Sequence, residues 1–287
     1  MKPVRDFLEL IKFEHTIFAL PFAYLGMLLA AQGWPTWEQF FWITIAMASA
    51  RTLAMGFNRI ADRWIDGRNP RTANRPLVQG TISLQTAWAG TLLAGGILTI
   101  AAWQLGPFTL RLLPGAIVFL LGYSFTKRFT WMSHFILGFT DGLAPVGAWA
   151  AIRGSLFTIA DLPAWILLGV VTFWIAGFDL IYACQDLEVD RQEGLQSIPA
   201  RFGVSTALIT STISHILTMI LLIGLGLFSS LGWPYWIGLL IVAGLLVWEH
   251  RLVHPNDLSN INVAFFNINS YISVTLFLAI LGAIYIK

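Results

Sequence analysis

Charge is scarce in this chain. Of its 287 residues, 11% are Asp, Glu, Lys or Arg and 57% are hydrophobic, whereas an ordinary soluble domain carries about 25% charged residues. So small a supply does not wet a globular surface. It excludes an ordinary soluble protein, a disordered chain and a nucleic-acid binder. Cysteine is nearly absent, Cys184 being the only one, which excludes a disulfide framework and a cysteine-based zinc site. There is no glycine-rich phosphate loop and no Ser-His-Asp arrangement. Neither sign of charge dominates, the formal net charge being +2, so the information lies in where the charges fall.

What the chain does have is apolar length. A helix that crosses the hydrocarbon core needs about 20 mostly apolar residues. Nine stretches qualify, at roughly 15–32, 38–57, 84–104, 112–126, 132–152, 163–184, 204–229, 233–248 and 262–286. Short polar connections separate them, so residues 1–287 are expected to form a single transmembrane domain. The runs are nearly continuous rather than alternating, which favours helices over an outer-membrane barrel. The expected fold is therefore all-α and polytopic.

Lys and Arg set the expected orientation. With nine spans and the N-terminus inside, the inner face receives Lys2, Arg5, Lys12, Arg59, Arg63, Arg68, Arg71, Arg75, Lys127, Arg128, Arg191, Arg201 and Arg251. The outer face receives only Arg111, Arg153 and Lys287, and Arg51 is left within a span. The first apolar stretch begins too late and runs too long for a signal peptide. A bacterial or archaeal plasma membrane is the expected location, with a processed organellar protein as the alternative.

The acids cluster in two places. Asn58, Asp62 and Asp66 step by four at the end of the second span, and Arg71 and Arg75 follow. On a helix such residues lie on successive turns of one face, about 6 Å apart. Oxygen ligands in that arrangement suit Mg²⁺, and guanidinium groups suit phosphate oxygens. One such cluster is equally open to reading as a salt-bridged, solvated helix cap. A second cluster ends the sixth span, where Tyr182, Asp186 and Asp190 again step by four and Asp179 lies seven residues before Asp186. Both spans run from outside to inside, so the two clusters reach the same membrane surface. Together they describe a site for a metal-bridged polyanion such as a diphosphate. Matched motifs four spans apart suggest two equivalent four-helix units and a ninth helix around a central cavity open to the cytoplasm.

Asn58-x3-Asp62-x3-Asp66 followed by Arg71-Thr-Ala-Asn-Arg75-Pro76 resembles the first signature of the UbiA superfamily of intramembrane prenyltransferases, and Asp179-x2-Tyr182-x3-Asp186-x3-Asp190 resembles the second. Lys12-Phe-Glu-His15, Phe18 to Phe22, Tyr123-Ser-Phe-Thr-Lys127-Arg128 and the run from His254 through Asp257 to Phe266 are similar to further family segments. The chain departs from the pattern twice: Asn58-Arg59 stands where many members have Asn-Asp, and Gly194-Leu-Gln196-Ser197 stands where many have a lysine.

The resemblance implies an enzyme that transfers a polyprenyl group from a polyprenyl diphosphate to a ring carbon of an aromatic acceptor within membrane lipid. It implies Mg²⁺ held by Asp62, Asp66, Asp186 and Asp190. It gives Arg71, Arg75, Lys127 and Tyr123 to the diphosphate, Asn58 to metal or phosphate, and Asp179 and Tyr182 to substrate; Asp186 is also a candidate to polarise the acceptor hydroxyl. Arg51 lies seven residues before Asn58, two turns deeper on nearly the same face. A charge there costs at least about 2.5–3.5 kcal/mol on insertion scales. In the family, an arginine at this position is associated with the carboxylate of a hydroxybenzoate acceptor; an internal pair with Asp141 is the alternative. The expected acceptor is an aromatic carboxylate, 4-hydroxybenzoate on a ubiquinone route, with 1,4-dihydroxy-6-naphthoate on a menaquinone route as the runner-up. A proton- or cation-coupled transporter is the rival from another class, but the acids gather at one surface and no broken-helix repeat is evident at mid-depth. His134, His215 and His250 show no ligand spacing and are read as structural.

Overall fold

The computed structural model describes the backbone of residues 7–11 and 14–286, with the side chains of all of these except 14–19. Lys2, Arg5, Lys12 and Lys287 in the charge pattern, and the side chains of Glu14, His15 and Phe18 in the family segments, lie outside the described residues. The long helices are α1 (Glu14–Ala31), α2 (Trp37–Ala61), α4 (Leu84–Gln104), α5 (Pro107–Gly122), α6 (Ser133–Arg153), α7 (Leu162–Ala183), α10 (Val204–Phe228), α11 (Trp233–Leu252) and α12 (Asn269–Tyr285). Short helices α3 (Arg63–Arg68), α8 (Leu187–Gln192) and α9 (Ile198–Phe202) lie between them. Among the described residues there is no strand, only an isolated bridge between His254 and Asp257. Eight helical segments are long and apolar enough to cross a membrane, and the apolar stretch Leu20–Ala31 within α1 adds a shorter one, against the nine spans expected.

The long helices pack as a closed ring in the order α1, α2, α4, α5, α6, α7, α10, α11, α12 and back to α1, with α1 also crossing to α6. The largest core joins Leu28 of α1, Trp149 of α6, Leu167 of α7, Leu222 of α10, Tyr235 of α11 and Leu276 of α12. A smaller one joins Leu53 of α2 to Leu98 of α4 and Leu120 of α5. Caps set several helix starts: Thr36 and Gln39 form a reciprocal capping box, and Ser83 accepts a hydrogen bond from the Thr86 amide. These satisfy backbone donors that a helix start leaves unpaired.

The two motifs do not sit on uninterrupted helices. α2 stops at Ala61, and Asp62 both ends it and precedes α3, with φ −97° and ψ 7°. α7 stops at Ala183, a 3₁₀ turn covers Cys184–Asp186, and Asp186 precedes α8 with φ −96° and ψ 4°. The expected continuous face is thus corrected to two matched breaks, each at a motif aspartate. The four-residue spacing survives because the amide of Asp62 donates to the Asn58 carbonyl at 2.9 Å and that of Asp66 to the Asp62 carbonyl at 2.8 Å.

Small residues bring α6 and α7 together. A Cβ on Gly138 would run into the Thr172 carbonyl, so only glycine permits that approach. Gly138→Leu is expected to force the pair apart and destabilise the protein by roughly 1–3 kcal/mol. Gly224→Ala, inside α10 where an added Cβ meets nothing, is expected to keep or raise stability, by up to about 1 kcal/mol. Thermal unfolding in detergent checks both.

Candidate active site

A cavity of about 720 Å³ opens between the ends of α2 and α7. The residues expected for metal and substrate all line it: Asn58, Asp62 and Asp66 from the first motif, Arg71 and Arg75 from the loop after α3, Tyr123 and Lys127 from the turn after α5, Asp179, Tyr182, Asp186 and Asp190 from the second motif, and Arg51 deeper on α2. Residues up to 139 positions apart in the chain therefore converge on one space.

Around its polar end, each of the four motif acids has a cation. Asp186 takes two hydrogen bonds from Arg71, at 2.9 and 2.6 Å, and one from the Asn69 amide at 2.8 Å. Arg71 also donates to the Tyr182 hydroxyl at 3.0 Å and lies over its ring. Arg75 bonds Asp66. Arg128 meets Asp62 at 3.0 Å. The Lys127 ammonium stands 3.6 Å from Asp190. Burial raises the Asp62 carboxyl above its ordinary value, the neighbouring Asp66 charge adds to this, and the hydrogen bond from Arg128 opposes it. Burial would lower Arg71, but the bonds and charge of Asp186 outweigh it and hold the guanidinium above its ordinary value.

Among the described residues no group of three or more His, Cys, Asp or Glu is gathered closely enough to hold a metal ion. The acids face one another with cations between them. Asp190 Oδ2 is buried and accepts no hydrogen bond among the described residues; the Lys127 ammonium at 3.6 Å is its ion-pair partner, which leaves the oxygen with hydrogen-bonding capacity to offer a ligand. Asn58 donates to Asp62 at 2.8 Å and accepts from Arg59 at 3.2 Å, which sets its amide orientation. Tyr123 does not point its hydroxyl proton at the acids; it donates to the Ala54 carbonyl at 3.4 Å.

Deeper, the composition changes. An apolar cavity of about 190 Å³ lies among α1, α2, α4, α5 and α6, lined by residues such as Ala50, Leu98, Leu112 and Ala116. Arg51, Tyr123 and Asp141 line both cavities and so mark their junction. Arg51 Nε is buried without a hydrogen-bond partner, and among the described residues no ion pair within 4.0 Å joins it to Asp141. Phe22, Trp174, Phe178, Phe265 and Phe266 supply aromatic faces to the main cavity, and Phe265 stacks on Tyr182 with centroids 4.1 Å apart.

Four contributors escaped the sequence reading as site residues. Arg128 was legible as positive charge and as the end of a family segment, not as the partner of Asp62. Asn69 precedes Pro70, a position that favours a helix end, yet its buried side chain bonds Asp186. Arg59, at the departure from the family pattern, is buried and donates to the Leu10 carbonyl at 3.3 Å, bringing residues 7–11 to the cavity wall. His134 is fully buried and bonds Asp179 at 2.7 Å. At the second departure, the Gln196 side chain accepts from Arg201 at 3.4 Å rather than facing the cavity.

A ring of membrane-spanning helices around an acid- and arginine-lined cavity, with an apolar annex, defines a protein that handles an amphiphile with an anionic head. Residues 19–271 match the model of the UbiA prenyltransferase family, and the chain belongs to that family and is a prenyltransferase. The 4-hydroxybenzoate octaprenyltransferase of Nitrosospira multiformis is 30% identical over 258 residues, covering 89% of this chain and 86% of that one. The apo structure of a UbiA homologue from Aeropyrum pernix K1 is 33% identical with a TM-score of 0.85, over 93% of this chain and 97% of that one. A UbiA homologue from Archaeoglobus fulgidus bound to DMAPP and Mg²⁺ shares the fold, with a TM-score of 0.66 at 19% identity, over 94% of this chain and 99% of that one.

Asp186 is buried while Arg71 is partly exposed, so removing Arg71 strands the acid. Arg71→Ala is expected to lower stability of the ligand-free protein by about 1–3 kcal/mol. Adding Asp186→Asn to it restores part of the loss. A double-mutant cycle on thermal unfolding measures the coupling.

Proposed function

We propose that this chain transfers a polyprenyl group from a polyprenyl diphosphate to a ring carbon of an aromatic carboxylate, 4-hydroxybenzoate first among them, in ubiquinone biosynthesis. The observation that carries this reading is the position of Arg51: a half-buried cation, its Nε buried without a hydrogen bond, at the junction between an acid–arginine rim and an apolar annex. The rim suits a diphosphate, the annex suits the first isoprene units of its tail, and Arg51 suits a carboxylate that meets the tail between them. The relatives named as 4-hydroxybenzoate octaprenyltransferases support the same acceptor.

Asp62, Asp66, Asp186 and Asp190 would hold Mg²⁺, and Asp190 Oδ2, buried without a hydrogen bond beside Lys127, fits that role. Bound Mg²⁺ supplies Lewis-acid stabilisation of the departing diphosphate. Arg71, Arg75 and Lys127 bind the remaining phosphate oxygens as charge-assisted donors. Asn58 binds metal or phosphate, and Tyr182 orients Arg71. Tyr123 lines the floor where both cavities meet. The aromatic faces of Trp174, Phe178 and Phe265 attract the positive charge that develops on the allylic carbon. Enclosure within the helix ring keeps water from capturing that carbon. The protein works as a multi-pass protein of the bacterial cell membrane with its N-terminus cytoplasmic, which puts the cavity mouth on the cytoplasmic side.

Purified protein in detergent, given Mg²⁺ and a polyprenyl diphosphate, is expected to prenylate 4-hydroxybenzoate. Asp62→Ala abolishes product, and Arg51→Ala raises KM for the acceptor about tenfold or more, the loss of a charged hydrogen bond. Product from 1,4-dihydroxy-6-naphthoate alone would move the reaction to a menaquinone route. No ring-prenylated product from either acid, in a sample that binds the diphosphate, would rule out the carboxylate assignment. Ala116→Trp, which fills the annex, is expected to slow long diphosphates more than geranyl diphosphate in the same assay.

A further inference from the structure

Prenylating an aromatic ring leaves a proton to dispose of. When the allylic carbon joins the ring, its bond to the diphosphate oxygen breaks and the diphosphate leaves with the electron pair. The attacked ring carbon must then give its hydrogen to a base as H⁺ to restore aromaticity. Of the carboxylates in the cavity wall, Asp62, Asp66, Asp186 and Asp190 each face a cation within 4.0 Å and are engaged with the head group. Asp179 is different. Its neighbour is a neutral donor, and it lies on α7 about two helical turns before Asp186.

That donor is His134 of α6. The ring is wholly buried. Its Nε2 accepts a hydrogen bond from the Ile198 amide at 3.4 Å, and an accepting ring nitrogen carries no proton. The proton of the neutral imidazole is therefore on Nδ1, which donates to Asp179 Oδ2 at 2.7 Å. The backbone of α9 thus fixes the tautomer, and the tautomer fixes the carboxylate. Asp179 Oδ1 accepts no hydrogen bond among the described residues, and the side chain is 20% exposed toward the cavity. A carboxylate pinned at one oxygen presents the other oxygen in a set direction.

We propose that Asp179 accepts the ring proton in the prenyl transfer and that His134 is the residue that positions it. This rests on the function proposed above. His134, read from sequence as structural, becomes part of the catalytic arrangement without touching substrate. Asp141 and Glu9 are the competing bases, because they also line the cavity.

The test uses the whole protein in detergent with Mg²⁺, geranyl diphosphate and 4-hydroxybenzoate deuterated beside the hydroxyl. Wild type is expected to show a hydrogen/deuterium rate ratio near unity, proton loss being faster than ionisation. Asp179→Asn retains an acceptor for His134 and keeps the fold, but lowers kcat about 10²-fold or more, with KM little changed and the ratio well above unity. His134→Ala gives a smaller fall in kcat with the same rise in the ratio. His134→Gln, whose amide also donates, recovers most of kcat. A ratio that stays near unity in both Asp179→Asn and His134→Ala overturns the assignment, as does one that rises in Asp141→Asn instead. If His134→Ala does not fold, the Asp179→Asn and His134→Gln pair decides alone. Wild-type protein that forms no ring-prenylated product overturns the functional reading and this assignment with it.

Discussion

Charge pairing in a low-dielectric setting is the constraint on which the rest of the molecule depends. Two unit charges 4 Å apart interact by about 1 kcal/mol in water and about 4 kcal/mol at an effective dielectric of 20, whereas a lone buried charge is strongly penalised. The ends of α2 and α7 carry four acids into a ring of apolar helices. Each meets a cation from another part of the chain: Arg71 and Arg75 from one loop, Lys127 and Arg128 from the turn after α5. These pairs draw the loop, the turn and the two broken helices into one rim. The same pairs suit exchange: a metal-bound diphosphate offers cations to the acids and oxygens to the arginines.

Polarity then falls with depth. The rim is balanced, the junction holds Arg51 and Asp141 without a close pair between them, and the annex beyond is alanine- and leucine-lined. An amphiphile with a charged head and an apolar tail matches that gradient only in one orientation. Its reactive carbon, between head and tail, falls near the junction and the aromatic faces of α7 and the turn before α12. The fold thereby separates the task of holding charge from the task of shielding a reactive carbon.

Much of this was legible in the sequence because it repeats locally. Apolar runs report membrane spans, and acids spaced by four report one helical face. Arg51 stood out because a charge in an apolar span demands a reason. The helix breaks at Asp62 and Asp186 were not legible, because the four-residue spacing of the motif residues reads the same whether the helix continues or not; at Asp62 the four-residue hydrogen bonds even persist through the break. Asn69 and Arg128 were hidden for another reason. A residue before proline reads as a stop signal, and an arginine at a membrane edge reads as orientation, whatever either touches.

The sequence by itself determined the class of fold, the membrane setting, the two acidic motifs and the polyanion they suit, since each follows from the order of residues along one segment. Only the tertiary structure decided which cation meets which acid, that Arg51 sits where two cavities join, and that His134 holds Asp179. Apart from Arg75–Asp66, nine positions apart, the pairings join segments 45 to 115 positions apart in the chain. The axial shift and rotation of one helix against another set them, and periodicity within a single helix carries no record of either.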